Sequence, residues 1–264
     1  MKRGPSARVV ILALVSFGAI SAGALVLLLL AVATLFCTRR LYAAAATRLA
    51  NMVLRLWGIR VVIHHDEPFP WKQTVYVSNH TSTLDLFVLV ALGLPNTRFF
   101  LSGFLRKYVP LGIIAYLMGT FFTVPQNKPA QRTRIFQRAD RILRRTRESV
   151  YLSPEGGRIT TGTIGPFNKG SFHLATSLRA PIVPLFIHIP STIDPGLGYN
   201  ARPGTVHVYV KPAIDTTTWR IEDLETNTER IRGLFVQWHR EIQGMSHGEP
   251  SNAAAAFPAA LEAR

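Results

Sequence analysis

The sequence predicts an α/β domain preceded by a membrane-embedded helical segment. From residue 58 to residue 243, short runs rich in β-branched and apolar residues alternate with longer runs of helical periodicity. Strands that alternate with helices are typical of an α/β architecture. Ahead of this region, residues 9–37 form a stretch of 29 residues without a charge. The 264-residue chain is long enough for one large domain with such an extension.

The charge of the chain is strongly positive. Thirty basic residues, of which 24 are Arg, stand against 15 acidic ones and give a formal charge of +15. Such a balance fits nucleic acid or an anionic membrane surface, and the apolar segment favours the membrane. Cys37 is the single cysteine, which excludes an intrachain disulfide and a cysteine zinc site. No metal site is predicted.

The apolar segment, residues 9–37, predicts retention in a membrane, because about 20 residues cross a bilayer core. A cleaved signal peptide fits less well, since the run is too long and lacks a small-residue cleavage site before Arg39. Basic residues flank the segment on both sides, so the positive-inside rule gives no orientation. Two alternatives stay open: a spanning helix, or a bend at residues 18–23 that forms a hairpin within one leaflet.

Residues 38–57 predict an amphipathic helix, since Leu41, Leu49 and Val53 recur at helical spacing between arginines. The helix could lie at the lipid headgroups or pack against the α/β domain, and both alternatives stay open. The predicted organisation has three parts: a membrane anchor over residues 1–57, an α/β domain over residues 58–243 and a flexible tail over residues 244–264.

Within the α/β domain, the periodicity predicts seven strands and four helices. The predicted strands are residues 59–64, 75–78, 98–101, 121–124, 150–153, 182–188 and 205–210. One predicted helix ends near residue 92, and three more span residues 129–147, 171–178 and 221–242. Residues 108–118 are almost entirely apolar but too short to span a bilayer, which indicates a place in a core or at an interface.

The helix predicted over residues 129–147 has an apolar face and a polar face covered by arginines. Two interpretations of the arginines stay open. They form a solvated face on a helix packed against a sheet, or they contact lipid headgroups or the phosphates of coenzyme A.

The first candidate for chemistry is Asn79-His80-x4-Asp85, which directly follows a predicted strand. A carboxylate one helical turn after a histidine can hold one ring nitrogen protonated and leave the other free to take a proton. Ser82 and Asp85 also have the spacing of a capping box, so Asp85 could instead close the start of a helix.

The second candidate is Ser153-Pro-Glu155-Gly-Gly-Arg158, which follows another predicted strand. The glycines allow a ligand to approach the backbone closely, and the arginine can bind a phosphate with two donors. Lys169 adds a cation that could face the same cleft. The alternative is an ordinary turn between a strand and a loop.

These stretches and their order resemble the glycerophospholipid acyltransferase family, and the resemblance covers residues 62–211. The family's first block, Asn-His-x4-Asp, matches residues 79–85, and its third, Pro-Glu-Gly-Thr/Ser-Arg, matches residues 154–158. The Phe-x-Lys-Gly-x-Phe that follows matches residues 167–172, and the apolar strand of the fourth block matches residues 180–186. The resemblance implies a single mixed-sheet acyltransferase domain flanked by helices.

The resemblance also implies a reaction, in which a fatty acyl group moves from acyl-CoA or acyl carrier protein to the free hydroxyl of a lysophospholipid. Lysophosphatidic acid is the favoured acceptor, and the product is phosphatidic acid. The residues implied are His80 and Asp85 in catalysis, and Asn79, Glu155, Gly156, Gly157, Arg158 and Lys169 in substrate binding. No cofactor is expected beyond the thioester co-substrate, and the expected partners are the two substrates and a bilayer, not nucleic acid. The expected location is a bacterial-type inner membrane, with the catalytic domain facing the cytoplasm.

The chain departs from the family's pattern at three places. The second block usually ends in an arginine that helps to hold the acceptor phosphate, but Pro125 and Gln126 stand there. A lysine that often precedes the Pro-x-Gly turn is absent, with Ser102 and Gly103 in that region. Gly157 replaces the usual hydroxyl residue. The acceptor therefore stays open, and a lyso-ornithine lipid or another lysophospholipid is an alternative.

Two other classes of function compete with acyl transfer. One is a membrane lipid-binding protein with a degenerate site. The other is a membrane-tethered nucleic-acid binder, which only the arginine-rich helix supports. For the enzyme, the sequence has no Gly-x-Ser-x-Gly elbow, which favours direct transfer over an acyl-enzyme intermediate.

Overall fold

Seven strands form one sheet in the computed structural model, which describes residues 6–65, 68–196 and 201–246. The strands are β1 (Ile59–His64), β2 (Val75–Ser78), β3 (Thr97–Ser102), β4 (Phe121–Thr123), β5 (Ser149–Leu152), β6 (Ile182–His188) and β7 (Gly204–Val210). Their order across the sheet is β1-β7-β6-β2-β5-β3-β4. Only β6 and β7 pair in the antiparallel sense among these strands, so the sheet is mixed, as predicted.

The helices cover both faces of this sheet. They are α1 (Ala7–Ala33), α2 (Arg39–Leu56), α3 (Leu84–Ala91), α4 (Val109–Leu117), α5 (Pro129–Thr146), α6 (Gly170–Leu178) and α7 (Leu224–Ser246), with a 3-10 helix at Gly103–Lys107. Each predicted helix and strand is present, with ends that differ by a few residues. The described residues end at Ser246, so the rest of the predicted tail (residues 244–264) lies outside them.

Two hydrophobic cores form, one on each face of the sheet, because successive strand residues point to opposite sides. On one face Tyr76 and Val183 pack with apolar side chains of α1, α2, α3 and α4. On the other face Val75 and Ile182 pack with side chains of α5, α6 and α7. The result is a three-layer arrangement in which α1 and α5 lie on opposite faces of the sheet.

Helix α1 runs without a break through residues 18–23, so the bend considered there is not formed. A Cβ at Gly23 would lie 2.7 Å from the Leu49 side chain, which indicates that the glycine allows close packing against α2 instead. The chain reverses after α1, where Leu35 and Phe36 have positive φ angles of 49° and 59°. Among the described residues, α1 is the one helix that is long and apolar enough to cross a membrane.

Helix α2 packs against the α/β domain, which was one of its two predicted placements. The Thr47 hydroxyl donates to the Val90 carbonyl of α3 at 3.0 Å, and the Asn51 amide donates to the Ala91 carbonyl at 3.1 Å. At the start of α2, Arg39 forms an ion pair with Glu148, just before β5. These polar contacts connect α2 to α3 and to the start of β5.

Candidate active site

The two predicted motifs meet at one edge of the sheet. Strands β2 and β5 are parallel neighbours, so their carboxyl ends lie side by side, and each motif begins where one of them ends. The backbone N–H of Ile159, directly after the second motif, donates to the His80 carbonyl at 2.8 Å. The fold therefore brings together stretches that are more than 70 residues apart.

His80 and Asp85 form the predicted contact. The His80 Nδ1 lies 2.7 Å from the Asp85 Oδ2, and the side chains of the two residues are 33% and 1% exposed. The same carboxylate oxygen accepts the backbone N–H groups of Thr81 at 2.7 Å and Ser82 at 2.9 Å. Asp85 thus both orients the imidazole and fixes the turn that precedes α3. The Nε2 of His80 has no hydrogen-bond partner in the part of the chain that the structure describes.

Glu155 is buried directly beneath the His80 loop. One carboxylate oxygen accepts the backbone N–H of His80 at 2.6 Å, and the other accepts that of Gly165 at 2.9 Å. Burial raises the pKa of Glu155, although these two N–H donors and the nearby His80 oppose the rise. One oxygen therefore joins the second motif to the His80 loop, and the other holds the loop that contains Gly165.

Asn79 joins the His80 loop to the neighbouring strand β6. Its amide nitrogen donates to the Ile187 carbonyl, and its amide oxygen accepts the Ile187 N–H, both at 2.8 Å. The residue is 2% exposed. Both polar ends of its side chain are thus satisfied inside the protein.

Gly156, Gly157 and Arg158 are all exposed at the mouth of this site. Gly156 has a φ of +68°, and a Cβ there would lie 2.7 Å from the Asn168 amide and 3.1 Å from that of Gln126. No neighbour lies within 4 Å of a Cβ built at Gly157. The Arg158 Nη1 donates to the Thr83 hydroxyl at 2.7 Å, at the start of α3. The guanidinium is therefore held close to the His80 loop.

Lys169 makes its described side-chain contact away from His80. Its Nζ lies 3.1 Å from the Glu225 Oε2 on α7, and both side chains are largely exposed. An exposed ion pair of this kind contributes little to stability, so it leaves the lysine free to move. Its described contact is with α7, and a place in the same cleft as His80 stays a prediction.

Asp194 is part of the site although the sequence analysis does not single it out. This buried residue accepts a hydrogen bond from the Ser82 hydroxyl, and its other oxygen accepts the Gly196 N–H at 2.8 Å. A Cβ at Gly196 would lie 2.7 Å from the Thr81 carbonyl. The loop after β6 therefore packs closely on the His80 loop. The Asp-Pro-Gly turn at residues 194–196 was the signal available in the sequence.

Two buried hydroxyl groups, those of Ser78 and Tyr151, lie at the start of the His80 loop. The Ser78 Oγ donates to the Asn79 carbonyl at 2.8 Å and lies 2.9 Å from the Tyr151 hydroxyl. Burial raises the pKa of Tyr151 well above its usual range, and the nearby Asp85 and Glu155 add to the rise. Tyr151 therefore stays neutral and serves as a fixed donor.

The arrangement presents one oriented, partly exposed imidazole, and the neighbouring second motif carries exposed glycines and an exposed arginine. Such a group can take a proton from a hydroxyl, because the buried carboxylate fixes the tautomer and stabilises the imidazolium. Neither a serine hydroxyl nor a cysteine thiol contacts the His80 ring among the described residues. The site thus fits a reaction in which a substrate supplies the nucleophile.

Known proteins share both the sequence pattern and the fold. A model of the Acyltransferase family matches residues 60–188. The chain is 27% identical over 192 residues to the 1-acyl-sn-glycerol-3-phosphate acyltransferase of Limnanthes alba, with 72% of this chain and 66% of that protein covered. It is 30% identical over 189 residues to the enzyme of that name from Saccharomyces cerevisiae, with 70% and 61% covered. The match therefore spans slightly less than two thirds of these relatives' length.

The crystal structure of the 1-acyl-sn-glycerophosphate acyltransferase from Thermotoga maritima has the same fold. Its TM-score is 0.61 at 19% identity, and the alignment covers 75% of this chain and 80% of that one. At this identity the likeness concerns the fold alone, and it agrees with the mixed sheet and flanking helices described above. The matching family model and the named relatives support the placement of this chain in the glycerophospholipid acyltransferase family.

Proposed function

We propose that this protein is a membrane-bound acyltransferase that moves a fatty acyl group from a thioester to the free hydroxyl of a lysophospholipid. The observation that carries the proposal is the partly exposed His80 imidazole, which is oriented by Asp85 and whose Nε2 has no hydrogen-bond partner among the described residues. The names of the relatives from Limnanthes alba and Saccharomyces cerevisiae support lysophosphatidic acid as the acceptor and phosphatidic acid as the product.

In this mechanism, the His80 Nε2 removes the proton of the acceptor hydroxyl as its oxygen attacks the thioester carbonyl carbon. Asp85 stabilises the imidazolium through the Nδ1 hydrogen bond. The tetrahedral intermediate then expels the thiolate, which takes the proton from the imidazolium. General base catalysis of this kind contributes about 10²–10⁴-fold, and fixed placement of two lipid substrates contributes further.

Two predicted substrate-binding residues are better described as positioning residues. Asn79 and Glu155 use their polar atoms on backbone groups of Ile187, His80 and Gly165. We infer that they hold the His80 loop in place and do not touch the substrate. The backbone N–H groups of residues 157 and 158, in the second motif, have no partner among the described residues. They are therefore available to bind the substrate.

Arg158 is the cation best placed for the headgroup of the acceptor, because it contacts the start of α3 beside His80. Gln126 lies against Gly156 and offers an amide where the family's pattern usually has an arginine. Lys169 could join Arg158 only after leaving Glu225. A headgroup site with one charged group and one amide keeps a lyso-ornithine lipid or another lysophospholipid as the alternative acceptor.

The membrane surface is formed by one side of α1. Its buried positions, from Val9 to Ala31, run along the whole helix and pack on the domain, while large apolar residues such as Leu14, Val26 and Leu29 are exposed. Exposed aromatic residues on and around α4, Tyr108 and Tyr116, continue this surface. A helix that contacts the domain along its length favours insertion parallel to the bilayer over a span across it.

The test is a panel of lysolipid acceptors presented in mixed micelles with an acyl-CoA donor and purified full-length protein. We expect the largest kcat/KM with lysophosphatidic acid, and the loss of product with His80→Ala. Mass spectrometry of lipids from cells that express either protein identifies the acceptor independently. Absence of transfer to every acceptor, with lipid binding unchanged in His80→Ala, would indicate a non-catalytic lipid-binding protein instead.

A further inference from the structure

The face of α5 that points away from the sheet carries a row of four arginines. These residues, Arg134, Arg138, Arg141 and Arg145, are all exposed, and their spacing of four, three and four places them on one side of the helix. The opposite side holds Leu143, which is fully buried. At 1.5 Å per residue the row is about 16 Å long. We refer to these four residues as the arginine stripe.

The arginine stripe has no partner within the described part of the chain. None of its four side chains makes a hydrogen bond, an ion pair or a cation–π contact there, whereas other arginines of α5 do. Arg132 donates to the Val124 carbonyl at 3.3 Å, and Arg144 pairs with Asp140 at 2.8 Å. Like charges on successive turns repel one another and destabilise an isolated helix. The stripe therefore gains favourable interactions only from a negatively charged partner.

The sheet separates the arginine stripe from the membrane surface. Helix α5 packs in the core on one face of the sheet, and α1 packs in the core on the other. A bilayer against the exposed side of α1 would thus lie across the sheet from the stripe. Lipid headgroups do not fit this placement, and a partner from the aqueous phase does.

One end of the arginine stripe is close to the candidate active site. Helix α5 begins at Pro129, three residues after Gln126, whose amide lies beside Gly156. Arg134 follows about 8 Å further along the helix axis. A partner on the stripe would therefore sit close to the exposed glycines of the second motif.

We propose that the arginine stripe docks an acidic carrier protein that delivers the acyl thioester. This inference rests on the proposed acyl transfer and names the kind of donor for it. A straight row of arginines on a convex helix surface matches an elongated acidic surface, such as a helix, better than the compact phosphates of coenzyme A. The net charge of +15 would speed the encounter with such a partner.

The experiment compares two donors with the same acyl chain, an acyl carrier protein thioester and acyl-CoA, on full-length protein in mixed micelles. The variant is Arg138→Gln/Arg141→Gln/Arg145→Gln. Its matched control, Arg202→Gln/Arg220→Gln/Arg240→Gln, removes the same charge from exposed positions elsewhere. We expect the stripe variant to raise KM for the carrier thioester about tenfold with kcat unchanged, and to leave KM for acyl-CoA within about twofold. High salt should remove most of this difference.

Several outcomes would overturn the proposal. These are an equal rise of KM for both donors, an unchanged KM for the carrier thioester, or transfer from acyl-CoA alone. Weaker binding of the stripe variant, but not of the control, to vesicles of anionic lipid would assign the stripe to the membrane and also contradict it. Failure of the wild-type protein with both donors and every lysolipid would contradict the proposed function, which keeps the two failures distinct.

Discussion

The Asp85 Oδ2 lies 2.7 Å from the His80 Nδ1 and at the same time accepts the backbone N–H groups of Thr81 and Ser82. One oxygen atom therefore fixes both the ring and the turn that carries it. The carboxylate is 1% exposed, so its interaction with an imidazolium is screened little by solvent. The geometry joins the turn ahead of α3 to the orientation of a general base.

Asp85→Asn should lower kcat by about 10²–10⁴-fold, because an amide oxygen can still accept the three hydrogen bonds but no longer carries the negative charge that stabilises the imidazolium. Steady-state kinetics with acyl-CoA and lysophosphatidic acid measure the effect. Thermal unfolding should show a cost of about 1–3 kcal/mol, because the amide N–H groups would occupy the buried Asp85 Oδ1 position, which has no partner among the described residues. The control is Asp140→Asn, at an exposed ion pair with Arg144 on α5. A kcat within about threefold of wild type would exclude the proposed role of the charge.

Asn79→Ala should destabilise the fold by about 2–3 kcal/mol, because it leaves the buried N–H and carbonyl of Ile187 without partners. We expect kcat to fall as the His80 loop loosens, with KM for the acceptor within about twofold. Chemical unfolding and steady-state kinetics provide the two readouts. The control is Asn227→Ala on α7, whose side chain makes no hydrogen bond among the described residues. A raised KM with unchanged stability would mean that Asn79 binds substrate after all.

Arg158→Gln should raise KM for lysophosphatidic acid about tenfold or more, since a charge-assisted hydrogen bond contributes about 1.5–3 kcal/mol. Arg158→Lys should restore the charge but only part of the affinity, because lysine lacks the planar pair of donors. An acceptor without a phosphate, a monoacylglycerol, should respond little to either substitution. Arg220→Gln is the exposed control. Equal effects on both acceptors would place Arg158 outside the headgroup site.

Acid should destabilise the protein through a cluster of histidines on β1, β6 and β7. Burial, and after it the neighbouring His207 and His239, lower the pKa of His188 to about 4. Burial also lowers the pKa of His207, and burial together with His207 lowers that of His64, whose Nε2 lies 2.9 Å from the His207 Nδ1. All three histidines therefore favour the neutral form in the folded protein.

The sign of the effect follows from proton uptake. An unfolded histidine takes up its proton near pH 6.5, but the folded His188 does so only near pH 4. The unfolded state binds more protons in this window, so the free energy of unfolding falls as the pH drops from about 6.5 toward 4. His188→Gln should flatten this decline, and the exposed His173→Gln should not. Equal slopes for His188→Gln and wild type in denaturant titrations would contradict the prediction.

The order of helices and strands could be predicted from the sequence, because it depends on local periodicity. Strand β6 was predicted at its observed bounds from an unbroken apolar run. The contact between His80 and Asp85 was predictable as well, since the residues are five positions apart and share one turn. Both the order of the elements and this contact depend on residues that are close together in the sequence.

The remaining site contacts depend on residues that are remote in sequence. Asn79 bonds the backbone of Ile187, 108 residues away, and the Asp194 carboxylate binds Ser82 across 112 residues. Lys169 pairs with Glu225 because α7 folds back beside the start of α6. Side-chain type and spacing give no information about such partners. The sequence alone therefore could not show whether Asn79 and Glu155 bind the substrate or position the His80 loop.

The central claim is that the His80 Nε2 acts as the general base in acyl transfer to a lysophospholipid. Its most direct test is single-turnover transfer from acyl-CoA to lysophosphatidic acid, with wild-type protein and His80→Ala at equal lipid binding. We expect His80→Ala to lower the rate of the chemical step by about 10²–10⁴-fold, with the fold and micelle association retained. A rate within about threefold of wild type would contradict the account.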